Sequence, residues 1–143
     1  MEIKETEKAY LAGLVDGEGT ITVQNGGKNL RMLVIITNTN LEILNFVKDR
    51  YGGFILKMTN DGTRKRDCFN WRLVSKGAIN FIKDIYPYLI IKKKHADLAI
   101  MFQKTVKDFL RSYGGRRGRV PLTIEQRNYR QDIKDQFRFV NLR

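Results

Sequence analysis

Cysteine and histidine are almost absent from this chain of 143 residues: Cys68 and His95 stand alone. One of each excludes a disulfide framework and a Cys/His zinc site built within a single chain, and it fits a reducing compartment. Long apolar runs are missing as well, none approaching the ~18 residues of a membrane span. The opening Met1-Glu2-Ile3-Lys4-Glu5 has neither the basic nor the apolar region of a secretion signal. These absences lead us to expect an intracellular, non-secreted protein with no membrane partner, in the cytoplasm of a prokaryote or in an organelle. Acidic residues are the third shortage, 15 against 27 Lys and Arg, which leaves a net charge of +12 and a pI near 10.0. Such an excess attracts polyanions at long range. Ribosomal proteins and binders of anionic membranes share it, so charge alone does not separate these classes.

What is present is patterned. Asn45-Phe46-Val47-Lys48-Asp49-Arg50-Tyr51 returns as Asn80-Phe81-Ile82-Lys83-Asp84-Ile85-Tyr86, identical at five of seven positions. Each copy ends a helical pattern that follows two strand-like runs, so the middle of the chain reads as two ββα units. The first comprises Thr20 to Gln24, a turn at Asn25-Gly26-Gly27, Leu30 to Asn38 and a helix over about Leu41 to Tyr51, with Asn40 as its cap. The second comprises Phe54 to Met58, a loop with Asn60-Asp61-Gly62, Cys68 to Val74 and a helix from about Lys76 to Ile85 that Pro87 stops. With a helix in front, the order αββαββα predicts an α+β fold: one four-stranded antiparallel sheet with helices on one face. The length suits a single domain over residues 1–143, with a core of about 7–111 and a basic helical extension of about 112–143.

The leading helix ends in Leu11-Ala12-Gly13-Leu14-Val15-Asp16-Gly17-Glu18-Gly19. Tyr10 and Leu14, with Leu11 and Val15, form an apolar stripe at helical spacing. Ala9, Gly13 and Gly17 form a second stripe with almost no side-chain bulk, although each interior glycine costs roughly 1 kcal/mol against alanine. Close approach of another helix offsets that cost, and no second copy of this stripe exists in the chain. A copy of the same protein is therefore the expected partner. Asp16 and Glu18 fall at the helix C-terminus, where the dipole disfavours acids. Two such carboxylates brought side by side across a two-fold axis suit Mg²⁺, which takes oxygen ligands.

Period-two alternation defines the sheet's free face. Ile21, Val23, Phe69, Trp71 and Leu73 point inward, while Thr20, Thr22, Gln24, Asn70 and Arg72 point out. Lys28, Asn29, Arg31, Lys57, Arg64 and Arg66 add to the outward polar set, and the run Met32 to Ile36 leaves Leu33 and Ile35 ambiguous. Arg, Lys, Gln and Asn read base edges in a major groove that accepts a two-stranded ribbon. About ten strand residues at ~3.3 Å span ~10 base pairs at 3.4 Å each, so a dimer would cover a pseudo-palindrome of ~20.

The nine-residue segment resembles the signature of the LAGLIDADG homing endonucleases of the single-motif, homodimeric kind, matching at Leu11, Ala12, Gly13, Leu14, Asp16 and Gly19. The resemblance implies that Ala9, Ala12, Gly13, Asp16 and Gly17 form the dimer contact and that Asp16 ends the helix and orders its junction. It also implies that Glu18, the acid in the eighth position, is the metal ligand and that the Gly17 carbonyl faces the metal. In Ile36-Thr37-Asn38-Thr39, Asn38 falls where the family has an amide near the scissile phosphate; its structural alternative is a residue of the helix N-cap region. Lys92 falls where a basic residue stabilises active-site solvent or phosphate; its alternative is a solvated helix start. His95 reads as a plain helix residue. The implied activity is hydrolysis of both strands of a long duplex site with Mg²⁺, leaving short 3′ overhangs, Mn²⁺ substituting and Ca²⁺ binding without cleavage. Genes of this kind often lie in introns or inteins.

The final third reads as helices over Asp97 to Tyr113 and about Thr123 to Phe137, separated by a glycine-flexible loop carrying Arg116, Arg117 and Arg119. Residues 104–143 hold eleven basic and four acidic side chains, a net of +7, which suits phosphate clamping. Three other functions fit parts of the pattern: an intron RNA-splicing maturase, a DNA-binding protein that has lost cleavage, and a structural RNA-binding protein. Glu18 has no purpose in the last.

Overall fold

The computed structural model describes residues 2–26, 29–112 and 122–141. Its elements are α1 (Glu5–Glu18), β1 (Gly19–Gly26), β2 (Asn29–Asn38), α2 (Leu41–Tyr51), β3 (Phe54–Lys57), β4 (Phe69–Val74), α3 (Ser75–Ile85), α4 (Lys93–Ser112) and α5 (Ile124–Asn141). A 3-10 turn at Tyr86–Tyr88, with Pro87 inside it, follows α3. The expected αββαββα core is present, and the lysine run at 93–94 begins α4 four residues ahead of Asp97. Lys28, Arg116, Arg117 and Arg119 lie outside the described residues.

The strands form one antiparallel sheet in the order β1-β2-β4-β3, two hairpins joined through their second strands. Ile21 pairs with Val34 and Val34 with Leu73, while Ile36 pairs with Trp71 and Trp71 with Ile55. Paired residues share a face, and this face carries the core with Leu11, Val15, Leu44, Val47, Phe81 and Ile82 from the helices. On α5, Ile133 and Phe137 enter the same core, and His95 is buried with its ring 6.5 Å from that of Phe137.

The repeated residues are where the two ββα units meet. Phe81 packs edge-on to both Tyr51 and Trp71, at centroid separations of 4.8 and 5.3 Å, a geometry that adds to the burial of each ring. The Tyr51 hydroxyl of the first unit donates to Asp84 of the second at 3.0 Å. Burial first, and then Asp84, push its pKa above the tyrosine range. Trp71 Nε1 donates to the Gly52 carbonyl at 2.8 Å. Gly53, at φ 85°, follows it; a Cβ there would lie 2.4 Å from the Arg72 carbonyl oxygen, so only glycine fits.

Helix α1 enters β1 with no intervening loop. That junction requires Gly19 for space rather than for dihedral freedom, since an added Cβ would meet the Val15 Cα at 2.7 Å and its carbonyl oxygen at 2.8 Å. Both are backbone atoms that cannot swing away. Gly19→Ala is expected to cost about 1–3 kcal/mol, as overpacking does, and to displace Glu18. Thermal unfolding of the variant checks the first effect, and a Tm unchanged from wild type would refute it.

Candidate nucleic-acid interface and active site

At the end of α1 the two acids have opposite fates. Asp16 is consumed within the chain: its carboxylate accepts from the backbone N–H groups of Ile90 at 2.8 Å and Lys92 at 2.9 Å, and its carbonyl accepts from Lys92 Nζ at 2.8 Å. The Asp16 side chain thus forms an internal clasp that orders the junction at the end of α1. The clasp holds the half-buried Lys92 beside the helix end. Burial pushes the Lys92 ammonium below the usual lysine range, opposed by the charge of Asp16. Glu18 is exposed, without a hydrogen bond or ion pair among the described residues, and the last turn of α1 has no basic residue to offset it.

Hydrogen bonds to a charged group contribute about 1.5–3 kcal/mol each when their partners are buried, and Asp16 makes its bonds at a half-exposed site. Asp16→Ala is expected to lose about 2 kcal/mol of stability and to free residues 90–92, so that any cleavage falls more steeply than binding. Equal losses in the two, or none, would count against a positioning role.

Asn38 lies at the same end of the sheet, because Gly19 pairs with Ile36 and β2 runs two residues further. Its Oδ1 accepts from the Asn40 N–H at 2.8 Å, and Asn40 in turn caps α2 by accepting from Glu42 N–H at 2.8 Å. The side-chain oxygen thus does the capping-region work, while Asn38 nitrogen Nδ2 makes no hydrogen bond among the described residues. Glu18, Asn38 and Lys92 therefore share one corner of the molecule. No group of three or more His, Cys, Asp or Glu side chains suited to a metal occurs among the described residues. One chain thus brings the carboxylate of Glu18, an oxygen donor of the kind that a hard divalent cation takes.

On the sheet's outer face, Thr20, Thr22, Gln24 and Arg31 stand as the alternation requires, with Arg31 opposite Gln24. Register settles the ambiguous run: Leu33 and Ile35 face out, opposite Thr22 and Thr20. Leu33 is nonetheless only 2% exposed and stands apart from the helix-side core. Arg72 faces out between Ile35 and Phe54, and its Nε is buried without a hydrogen-bond partner. Asn70 also faces out but is 8% exposed, its Oδ1 accepting from the Thr37 hydroxyl at 2.6 Å. Lys57 is a correction. It pairs with Phe69, which shares the face of Trp71, so it stands on the helix side, exposed and ion-paired to Asp67 at 3.0 Å. Asn29 is an exposed residue at the start of β2. Arg64 and Arg66 are exposed on the β3–β4 loop, which Asn60 and Asp61 shape by accepting from the N–H groups of Gly62 and Thr63, each at 3.0 Å.

Sequence reasoning missed Phe54 and Leu56. Both project from the outer face, opposite Arg72 and Asn70, and the alternation of Phe54-Ile55-Leu56-Lys57 was the signal that separates them from Ile55.

The small stripe of α1 is open. Ala9, Gly13 and Gly17 are exposed, and a Cβ added to either glycine would meet nothing within 4 Å. Ala12 is a correction: it is fully buried in the chain's own core beside Leu11 and Val15, and no second chain can touch it. Tyr10 is exposed too, its ring edge-on to Phe46 at 6.0 Å, whereas the sequence stripe had placed it with the buried Leu11.

The chain is thus an α+β protein with one four-stranded antiparallel sheet whose core lies on the helix side and with an exposed carboxylate where its first helix enters its first strand. A sequence model of the LAGLIDADG-like domain matches residues 5–79, more than half of the chain, and the chain belongs to this family. Among solved structures, homing endonuclease I-CvuI, in complex with its target in the presence of Ca, aligns with a TM-score of 0.62 at 16% identity over 96% of each chain. Homing endonuclease I-TnaI aligns with a TM-score of 0.67 at 15% identity, covering 99% of this chain and 97% of that one. Meganuclease I-SmaMI, bound to uncleaveable DNA, gives 0.67 at 18% identity, covering 90% of this chain but 43% of that one. At these identities the shared property is the fold. No curated protein matches the chain. No described helix is long and apolar enough to cross a membrane.

Proposed function

We propose that this protein is a site-specific double-strand DNA endonuclease that works as a homodimer. The observation that carries the reading is Glu18: an exposed carboxylate without a partner, at the negative pole of a helix whose neighbouring acid is fully engaged. A structural RNA-binding protein gains nothing from that arrangement. The open stripe of Ala9, Gly13 and Gly17 lets a second α1 approach, bringing two Glu18 side chains together. The match of this chain to 43% of I-SmaMI supports pairing, since that chain has room for two copies of the fold.

In the paired site, Glu18 and the Gly17 carbonyl would hold divalent metal, Mg²⁺ or Mn²⁺, which supplies an activated water and neutralises charge at phosphorus when bound. Ca²⁺ would hold the complex together without supporting hydrolysis. Lys92, fixed by Asp16, places a cation close to the scissile phosphate and steadies the charge that develops there. Asn38 keeps an amide nitrogen free to bond solvent or phosphate. Thr20, Thr22, Gln24, Arg31 and Arg72 read base edges, while Asn29, Arg64, Arg66 and the basic residues Lys28, Arg116, Arg117 and Arg119 fix position on phosphates. β2 has ten residues, so each protomer covers ~10 base pairs. Cuts across the minor groove would leave short 3′ overhangs, and the host gene would be an intron or intein open reading frame in a prokaryote or organelle.

Selection from a randomised duplex library in Ca²⁺ tests this reading. A two-fold symmetric consensus of ~20 base pairs is expected. Binding to folded RNA with no duplex consensus would replace it with the maturase reading.

A further inference from the structure

The outer face of the sheet is not uniformly polar. On the β1–β2 side it presents Thr20, Thr22, Gln24 and Arg31, all able to hydrogen-bond. On the β3–β4 side it presents Phe54, 43% exposed, and Leu56, 44% exposed. Neither belongs to the core or to the residues packed against it, unlike their neighbour Ile55. The polar groups between them are unequal. Asn70, opposite Leu56, is buried with its oxygen on Thr37, which leaves it a support for the strand pair. Arg72, opposite Phe54, keeps a buried Nε with no acceptor. This half of the face thus offers two apolar side chains and one cation to whatever docks on it.

A chain with net charge +12, carrying Arg31 and Arg72 on this same face, selects a polyanion over an apolar protein partner. In the major groove of duplex DNA the C5-methyl of thymine is the apolar feature that side chains meet. Phe54 and Leu56 are two residues apart on one strand, about 6.6 Å at 3.3 Å per residue. That distance equals about two base-pair steps of 3.4 Å. We propose that Phe54 and Leu56 are specificity-determining residues that read the methyl groups of two thymines two base pairs apart, with Arg72 donating to a base edge alongside Phe54. The proposal rests on duplex DNA being the ligand, as argued above.

The test uses the duplex recovered by selection, with each thymine replaced in turn by deoxyuridine, which removes the methyl group alone. Affinity is measured in Ca²⁺ by fluorescence anisotropy. For the wild-type protein, deoxyuridine is expected to weaken binding about fourfold, the value of one apolar carbon taken out of water, at two positions in each half-site separated by two base pairs. In Phe54→Ala one of these penalties should vanish, and in Leu56→Ala the other. Both residues are exposed on an edge strand, so far-UV circular dichroism of the variants should match wild type. Undiminished penalties in both variants, or no deoxyuridine effect on a duplex that wild type binds tightly, would overturn the proposal while leaving the endonuclease reading intact. A consensus lacking thymine pairs at that spacing would overturn it as well. Failure to bind any duplex would remove the endonuclease reading and this proposal together.

Discussion

Glu18→Gln is expected to abolish strand cleavage, by roughly 10²–10³-fold or more, the scale seen when a group that stabilises transition-state charge is removed. Duplex affinity in Ca²⁺ should stay within a few-fold of wild type. The substitution is nearly isosteric and removes one negative charge from an exposed side chain that bonds to nothing else in the chain, so the fold has no reason to respond. Binding has little reason to weaken either, since the sheet residues proposed to read bases are untouched and the substitution removes a charge that would repel phosphate. In the proposed dimer, cleavage would lose its metal ligand in both protomers at once. Single-turnover cleavage and equilibrium binding of one duplex, measured side by side, separate the effects. Cleavage that survives the substitution would remove Glu18 from the chemistry.

Gly13→Leu should produce the second large effect, and through a different link. Within one chain the new side chain starts in open space, since an added Cβ has no atom within 4 Å, and replacing an interior helical glycine by a good helix former gains up to about 0.8–1 kcal/mol in helix propensity. The Tm of the protomer is therefore expected to hold or rise. In a pair of α1 helices packed on their small stripe, two leucines would collide across the axis and hold the helices apart. Sedimentation velocity should show dimer becoming monomer, and cleavage should fall with it because each Glu18 then stands alone. Ala12→Leu provides the contrast. Ala12 is fully buried in the core, so overpacking should cost about 1–3 kcal/mol of protomer stability. A Gly13→Leu protein that remains dimeric would place the interface elsewhere.

Local patterns carried most of the fold into view. The internal repeat located both ββα units, and the cap at Asn40 stands where the chain chemistry requires, whereas Asn25 and Gly26, expected in the turn, pair with Leu30 and Asn29 as the end of β1. What stayed hidden depends on partners distant in sequence. The run Met32 to Ile36 has no alternation of its own, and only pairing with Ile21 and Leu73 assigns Val34 inward and Leu33 outward. Lys57 was expected outside because it is basic, yet its position follows from register with Phe69, which composition cannot reveal. Ala12 and Gly13 are both small, but a 100° step separates consecutive residues on a helix, which carries Ala12 to the side of Val15. The bonds from Asp16 to Ile90 and Lys92 span more than seventy positions, so the sequence suggested an ordered junction but not what ordered it. Phe54 and Leu56 escaped notice because apolar residues are assigned inward by habit, and in a four-residue strand the parity of Ile55 is the sole guide.

The most direct test of the paired site is to incubate the selected duplex with the protein and Mg²⁺ and map the ends on both strands at nucleotide resolution. One cut per strand is expected, placed symmetrically about the centre of the site and staggered to leave short 3′ overhangs, with both cuts lost in Glu18→Gln. Tight binding with both strands intact, or cuts scattered without symmetry, would contradict it.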